Sequence, residues 1–188
     1  MLTNQVRIIA GRWRGRKLKF PTVQGLRPTS DRLRETLFNW LRVKIDQAIC
    51  LDAFAGSGAL GFEALSQGAS KSIMLDNTSA VVKQLKENAT LLAADNAEIY
   101  QIDTFTYLKT CQQRFDLIFL DPPFNSDYLL KALNLIVQRK LLAEEGTIYI
   151  ERSRKMESAL GDNWQIIKEK SLGEVTAALI TYRNQAPF

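Results

Sequence analysis

The residues best suited to chemistry in this chain are the run Asp121-Pro122-Pro123-Phe124. Two consecutive prolines fix φ and offer carbonyls without competing amide protons, so those oxygens can be aimed at a ligand. An exocyclic nucleobase amine is a poor nucleophile because its lone pair is delocalised into the ring. A carboxylate taking one N–H and a proline carbonyl taking the other would hold such a nitrogen with its lone pair facing an electrophilic methyl. That is catalysis by positioning and by stabilising charge as it develops on nitrogen. Phe124 adds a flat surface on which an extruded base can stack.

A second group of residues suits a nucleoside-containing cofactor. The run Asp52-Ala53-Phe54-Ala55-Gly56-Ser57-Gly58-Ala59-Leu60-Gly61 carries a G-x-G-x-x-G spacing. Its glycines allow a tight turn, close approach of a ligand to the backbone, and close packing of a helix on a strand. The pattern alone is shared with NAD and FAD sites. Asp52, four residues before the first glycine, tilts the reading. A carboxylate there opposes a pyrophosphate but suits the cationic amino-acid end of S-adenosylmethionine. Asp76 stands twenty residues beyond Gly56, placed either to accept two ribose hydroxyl protons or to favour a helix N-terminus. Asp103 is placed equally well to take an adenine amine or to cap the short helix after it.

Other chemistries are excluded by composition. The chain has no histidine, which removes Ser-His and Cys-His nucleophilic catalysis, histidine bases and most zinc sites. Cys50 and Cys111 follow no metal or redox spacing and read as buried or half-buried thiols. No metal is expected.

The elements that must position these residues are legible as rhythm. Apolar runs at Ala48–Leu51, Ser72–Leu75, Ile99–Ile102, Leu117–Leu120 and Thr147–Ile150 read as buried parallel strands. Helical patterns at Ala59–Ser66, Ser79–Leu92, Phe105–Leu108 and Tyr128–Gln138 lie between them. Strands alternating with helices specify an α/β doubly wound sheet, whose ligands bind beyond the carboxyl ends of the strands. Each candidate residue sits just past such a strand. At the end, Trp164–Lys170 and Val175–Tyr182 are joined only by Leu172-Gly173-Glu174, so they should pair antiparallel and close the sheet.

The front of the chain differs in charge. Residues 1–44 hold 11 Lys and Arg against 2 Asp and Glu, while the remaining 144 hold 14 against 18. A basic front on a mildly acidic body reads as a nucleic-acid-facing arm. Short alternating runs at Arg7–Gly11 and Arg16–Phe20 suggest a β-hairpin, and Pro28, Thr29 and Ser30 supply helix-start chemistry ahead of Leu33, Leu37, Trp40 and Leu41. Residues 1–26 are therefore expected to form a basic hairpin arm and residues 27–188 the catalytic domain. Arg7, Arg12, Arg14, Arg16, Lys17 and Arg27 are the candidate RNA contacts, and Trp13 either stacks on a base or packs against the domain. No apolar run is long enough to span a membrane.

Taken together, Leu51–Gly61 and Asp121–Phe124 resemble the S-adenosylmethionine-dependent N-methyltransferases of Rossmann-like fold. More narrowly, Arg7-Ile8-Ile9-Ala10-Gly11, Arg14-Gly15-Arg16-Lys17-Leu18, Arg27-Pro28-Thr29 and Phe38-Asn39 resemble the bacterial small-subunit rRNA guanine-N2 methyltransferases, RsmD type, from about residue 6 to 183. The resemblance implies a monomeric cytoplasmic enzyme that methylates N2 of a guanine, guanine 966, in 16S rRNA of the 30S subunit. It implies that S-adenosylmethionine is held by Asp52, Phe54, Ala55, Gly56, Ser57 and Gly58, with Asp76, Asn77, Asp103 and Thr104, and that Asp121 to Phe124 hold the guanine. Family members usually carry Glu where Asp76 stands and often a further Gly where Ala10 stands. Among the alternatives, an NAD-dependent oxidoreductase leaves Asp121–Phe124 without a role. A DNA adenine-N6 enzyme usually carries a separate target-recognition domain, for which the chain has no room, and transfer to a ring carbon needs a suitably placed cysteine. A non-catalytic RNA-binding module explains only the arm. The runner-up is N6-adenine methylation of DNA or RNA.

Overall fold

The structure, a computed structural model, describes residues 4–23, 29–123, 127–154 and 160–183. A two-stranded antiparallel hairpin, β1 (Asn4–Arg7) and β2 (Lys17–Phe20), precedes helix α1 (Asp31–Leu41). Then strands and helices alternate: β3 (Ile49–Asp52), α2 (Ala59–Ser66), β4 (Lys71–Asp76), α3 (Ser79–Leu92), β5 (Ala97–Gln101), α4 (Thr104–Thr110), β6 (Phe115–Leu120), α5 (Tyr128–Gln138) and β7 (Leu142–Ser153). Strands β8 (Trp164–Leu172) and β9 (Val175–Tyr182) close the order. The seven strands after the hairpin form one sheet in the order β5-β4-β3-β6-β7-β9-β8, with β3 to β7 parallel and β9 antiparallel to both its neighbours. The expected α/β doubly wound sheet with its closing hairpin is present, and it is the second hairpin strand, β9, that joins β7.

The period of two along each strand explains why both faces are covered. Cys50, Met74, Leu117, Phe119, Tyr149 and Leu179 fill a core under α1, α2, α3 and the N-terminal hairpin. Their immediate chain neighbours Leu51, Leu75, Ile118, Leu120, Ile150 and Ile180 fill a second core under α4 and α5. Because neither face of the central strands meets water, Cys50–Leu51, Ile73–Leu75 and Leu117–Leu120 are apolar without a break, whereas the edge strand β5 is half-exposed and carries polar residues.

The hairpin is bound into the first core. Val6, Ile8, Trp13, Leu18 and Phe20 point inward, while Arg7, Arg12, Arg14, Arg16, Lys17 and Lys19 are exposed on the other side. Trp13 is only 7% exposed, so of its two expected roles it takes packing. The hairpin docks on the C-terminal end of α2: Arg12 N–H donates to the Ser66 carbonyl (2.7 Å) and Trp13 N–H to Ser66 Oγ (2.9 Å), satisfying a carbonyl the helix leaves open. Gly11 makes this approach possible. At φ +77° a side chain is strained, and a Cβ would lie 1.8 Å from the Ser66 carbonyl oxygen.

Beneath the hairpin lies a charged clasp. Glu63 and Arg34 are both fully buried and meet at 3.4 Å. The Glu63 carboxylate accepts the N–H groups of Ile9 (2.8 Å) and Ala10 (2.9 Å), and Arg34 donates to the Arg7 carbonyl (2.9 Å) and to Asp31 (2.6 Å). One ion pair thus ties hairpin, α1 and α2 together. Among the described residues no helix is long and apolar enough to cross a membrane.

Candidate active site

The strand order reverses between β3 and β6, and in an open α/β sheet a ligand crevice opens there, beyond the carboxyl ends. A cleft of about 750 Å³ occupies that place. Asp52 ends β3, and its Oδ2 accepts the Gly61 N–H (3.0 Å), so the carboxylate is braced by the start of α2. Between them the chain turns through Gly56 (φ +49°) and Gly58 (φ +74°), and Gly58 opens α2. A Cβ at Gly58 would lie 2.5 Å from Leu85, which is the close helix packing its position demands. Phe54, Ala55, Gly56 and Ser57 line the cleft, whereas Gly58 serves the turn behind it.

Asp76 ends β4, where Oδ2 accepts the Gly56 N–H (3.2 Å) and Oδ1 the Thr78 N–H (2.8 Å). It therefore stitches the glycine loop to the start of α3 while, with Asn77, it lines the cleft. Asp103 caps α4 by accepting the Thr106 N–H (2.9 Å), and it also lines the cleft, as does Thr104, whose hydroxyl donates to the Ala53 carbonyl. Asp121, Pro122 and Pro123 follow β6 and form the facing wall. Phe124 and Arg27 lie outside the described residues, as does Pro28.

Among the cleft residues that escaped the sequence reading are Glu151, Thr29 and Tyr128. Glu151 lies on β7, and the parallel register pairing Leu120 with Ile150 sets Asp121 and Glu151 side by side one step further on. Thr29, expected only as helix-start chemistry, bridges them: its hydroxyl donates to Glu151 Oε1 (2.6 Å) and reaches Asp121 Oδ2 at a longer 3.4 Å, while Ser30 does the capping of α1. Tyr128, at the start of α5, lines the cleft with its ring stacked on Phe54 (6.3 Å between centroids). Glu151 was findable. It follows the apolar run Thr147–Ile150 directly, as Asp52, Asp76 and Asp121 follow theirs.

The electrostatics follow from this crowding. Burial holds the Asp121 carboxyl well above the ordinary carboxylate range, and the neighbouring Glu151 and Asp52 push it further. Burial also raises Asp52 to about 7, with Asp76 adding to the effect and the Gly61 N–H opposing it. Glu151 is raised by burial against the lowering effect of the Thr29 and Tyr149 hydroxyls. Six carboxyl groups line the cleft (Asp52, Asp76, Asp103, Asp121, Glu151 and Glu174), and no Lys or Arg does among the described residues. Such a lining repels a pyrophosphate and attracts a ligand bearing ammonium and sulfonium charges. Among the described residues no group of three or more His, Cys, Asp or Glu has the arrangement of a metal site.

Known proteins share this architecture and sequence. Ribosomal RNA small subunit methyltransferase D of Haemophilus influenzae is 44% identical over 184 residues, covering 96% of this chain and 94% of that protein. The Escherichia coli K12 protein of the same name is 43% identical over 187 residues, covering 98% and 92%. The solved structure of yhhF from Escherichia coli superposes with a TM-score of 0.87 at 43% identity, covering 97% of this chain and all of that one. Residues 6–181 match the family described as Conserved hypothetical protein 95. The chain belongs to that family, and its sequence is similar to these two small-subunit rRNA methyltransferases D along nearly their whole lengths.

Proposed function

We propose that this protein transfers a methyl group from S-adenosylmethionine to the exocyclic N2 amine of a guanine in 16S rRNA of the small ribosomal subunit. The observation that carries the reading is the acidic cleft at the strand switch, without a basic residue among its described lining. It suits a cofactor with sulfonium and ammonium groups and disfavours a dinucleotide. The names of the relatives, small-subunit rRNA methyltransferases, support RNA as acceptor, and guanine 966 is the nucleotide the family resemblance implies. The cytoplasm, where small subunits reside, is the place of action on this reading.

When bound, the cofactor supplies an electrophilic methyl on sulfur. The chain supplies the rest. Asp52, Asp76 and Asp103, all lining the cleft, would hold the cofactor, by the ammonium group, the ribose hydroxyls and the adenine amine respectively. Asp121 and the Pro122 carbonyl take the two N–H groups of the acceptor amine, which turns its lone pair toward the methyl. Asp121, made basic by burial and its acidic neighbours, is placed to take the proton that nitrogen sheds after transfer. The exposed Arg7, Arg12, Arg14, Arg16 and Lys17 bind RNA phosphates outside the cleft, and Arg27 is a further RNA contact on the sequence reading. From Arg16 beside Leu91 to Lys19 beside Asn88, the hairpin runs back along α3 toward the cleft rim.

The test is labelled-methyl transfer with 16S rRNA, small subunits and duplex DNA offered in competition, followed by nucleoside analysis. N2-methylguanine from rRNA or small subunits is the expected product. N6-methyladenine, or transfer to DNA alone, would establish the adenine reading instead.

A further inference from the structure

Glu151 is 4% exposed, yet it lines the cleft beside Asp121. Its two oxygens are used unequally. Thr29 Oγ1 (2.6 Å) and Tyr149 OH (2.9 Å) both donate to Oε1, and among the described residues Oε2 accepts no hydrogen bond. A carboxylate oxygen left open in a site that water must vacate is costly unless a ligand donor meets it. The strand spacing sets the backbone of Glu151 about 5 Å from that of its neighbour Asp121, with both side chains on the same face of the sheet. Two hydroxyl donors on Oε1 fix the plane of the carboxylate, so the direction of Oε2 is built in.

A guanine whose 2-amine is held by Asp121 and the Pro122 carbonyl presents one more donor along the same edge, its N1–H. Adenine and 2-aminopurine present a lone pair at N1 instead, which a carboxylate oxygen repels. We propose that Glu151 is a specificity-determining residue whose open Oε2 accepts the N1–H of the target guanine while Asp121 holds its 2-amine. The inference rests on the guanine-N2 reading above and adds a recognition contact to it: Thr29 and Tyr149 orient Glu151, and Glu151 reads the base.

The experiment uses small subunits reconstituted with ligated 16S rRNA carrying either guanine or 2-aminopurine at the nucleotide the unaltered protein methylates. 2-Aminopurine keeps the acceptor amine and lacks only the N1–H and O6. In E151Q the Thr29 and Tyr149 hydroxyls hold the amide oxygen at the Oε1 position, so the amide NH2 turns to the cleft and opposes N1–H. The ratio of kcat/KM for guanine over 2-aminopurine should therefore fall by about 10- to 100-fold in E151Q, the range for one hydrogen bond to a charged acceptor. The O6 difference is common to both proteins and cancels. Each ratio comes from one preparation, so a loss of folded protein cancels too. If E151Q turns over neither substrate, the same ratio read from RNA affinity in the presence of S-adenosylhomocysteine decides the matter. E151D, which keeps the charge, should keep the preference for guanine. An equal ratio in the unaltered protein and E151Q overturns the role of Glu151 and leaves the guanine-N2 reading standing. A product other than N2-methylguanine from the unaltered protein overturns both.

Discussion

Replacing Glu63 by Ala should loosen the hairpin and destabilise the whole protein. Its carboxylate, fully buried, accepts four donors: Ile9 N–H, Ala10 N–H, Gln67 Nε2 (2.7 Å) and Arg34 Nη1. Glu63→Ala leaves the Arg34 guanidinium at 0% exposure with only Asp31 and the Arg7 carbonyl, and it leaves two backbone N–H groups facing a void. Removing one partner of a buried pair costs about 3–5 kcal/mol. Orphaned amides add to this, while relaxation of the hairpin takes some back, so the figure to test is about 4 kcal/mol. A chain of this size loses roughly 2–4 °C in Tm per kcal/mol, which makes the expected drop about 8–16 °C. Total stability is typically about 5–15 kcal/mol, so the variant should fold but only marginally. Glu63→Gln, which keeps one acceptor oxygen, should fall between. The assay is thermal and urea unfolding followed by circular dichroism. If the hairpin detaches first, the urea m-value of the main transition also falls. A Glu63→Ala Tm within about 3 °C of the unaltered protein would refute the clasp.

Three further outcomes follow from the site and the arm. Asp52, with a folded value of about 7 against an ordinary 3.8, binds its proton more tightly when folded. Its contribution to stability is therefore fully present below about pH 4 and is lost as pH rises through about 7, by up to about 4 kcal/mol. Unfolding curves for D52N should lack that decline, and S-adenosylhomocysteine, whose ammonium needs the ionised carboxylate, should bind more tightly as pH rises from 5 to 8 in the unaltered protein but not in D52N. Asp76→Ala should weaken S-adenosylhomocysteine in calorimetry by about 1.5–3 kcal/mol; tight NADH binding with no response to that ligand would sink the cofactor assignment. Replacing Arg12, Arg14, Arg16 and Lys17 with Ala should flatten the slope of log K against log salt for RNA by about 3 to 4 without touching cofactor binding, and an unchanged slope would mean another surface holds the RNA.

The sequence was most readable where one physical cause acted alone. Buried parallel strands must be apolar on both faces, so the runs at Leu117–Leu120 and Ser72–Leu75 locate β6 and β4 within a residue or two. The helices Ala59–Ser66, Ser79–Leu92 and Tyr128–Gln138 have the bounds their periodicity suggests. β7 begins five residues before its apolar run, because Leu142 pairs with Phe115 of β6 and the register then breaks before resuming at Thr147 with Leu117. What sequence spacing concealed were long-range partnerships. Arg34 and Glu63 look like surface charges on two helices, and only the docking of those helices under the hairpin buries them together. Thr29 reads as a cap until the fold brings it against Glu151, 122 residues away. Asp103 resolved both ways, as a cap and as cleft lining.

The central claim is that the cleft works by holding the acceptor nitrogen in place, with Asp121 as the group that does so. Asp121→Ala tests it directly, with S-adenosylhomocysteine affinity measured by calorimetry and single-turnover methyl transfer to small subunits measured on the same preparation. The account predicts cofactor affinity within a few-fold of the unaltered protein and transfer slower by about 10²- to 10³-fold, the scale of losing one preorganised polar group. Comparable losses in both measurements, or transfer that survives intact, would contradict it.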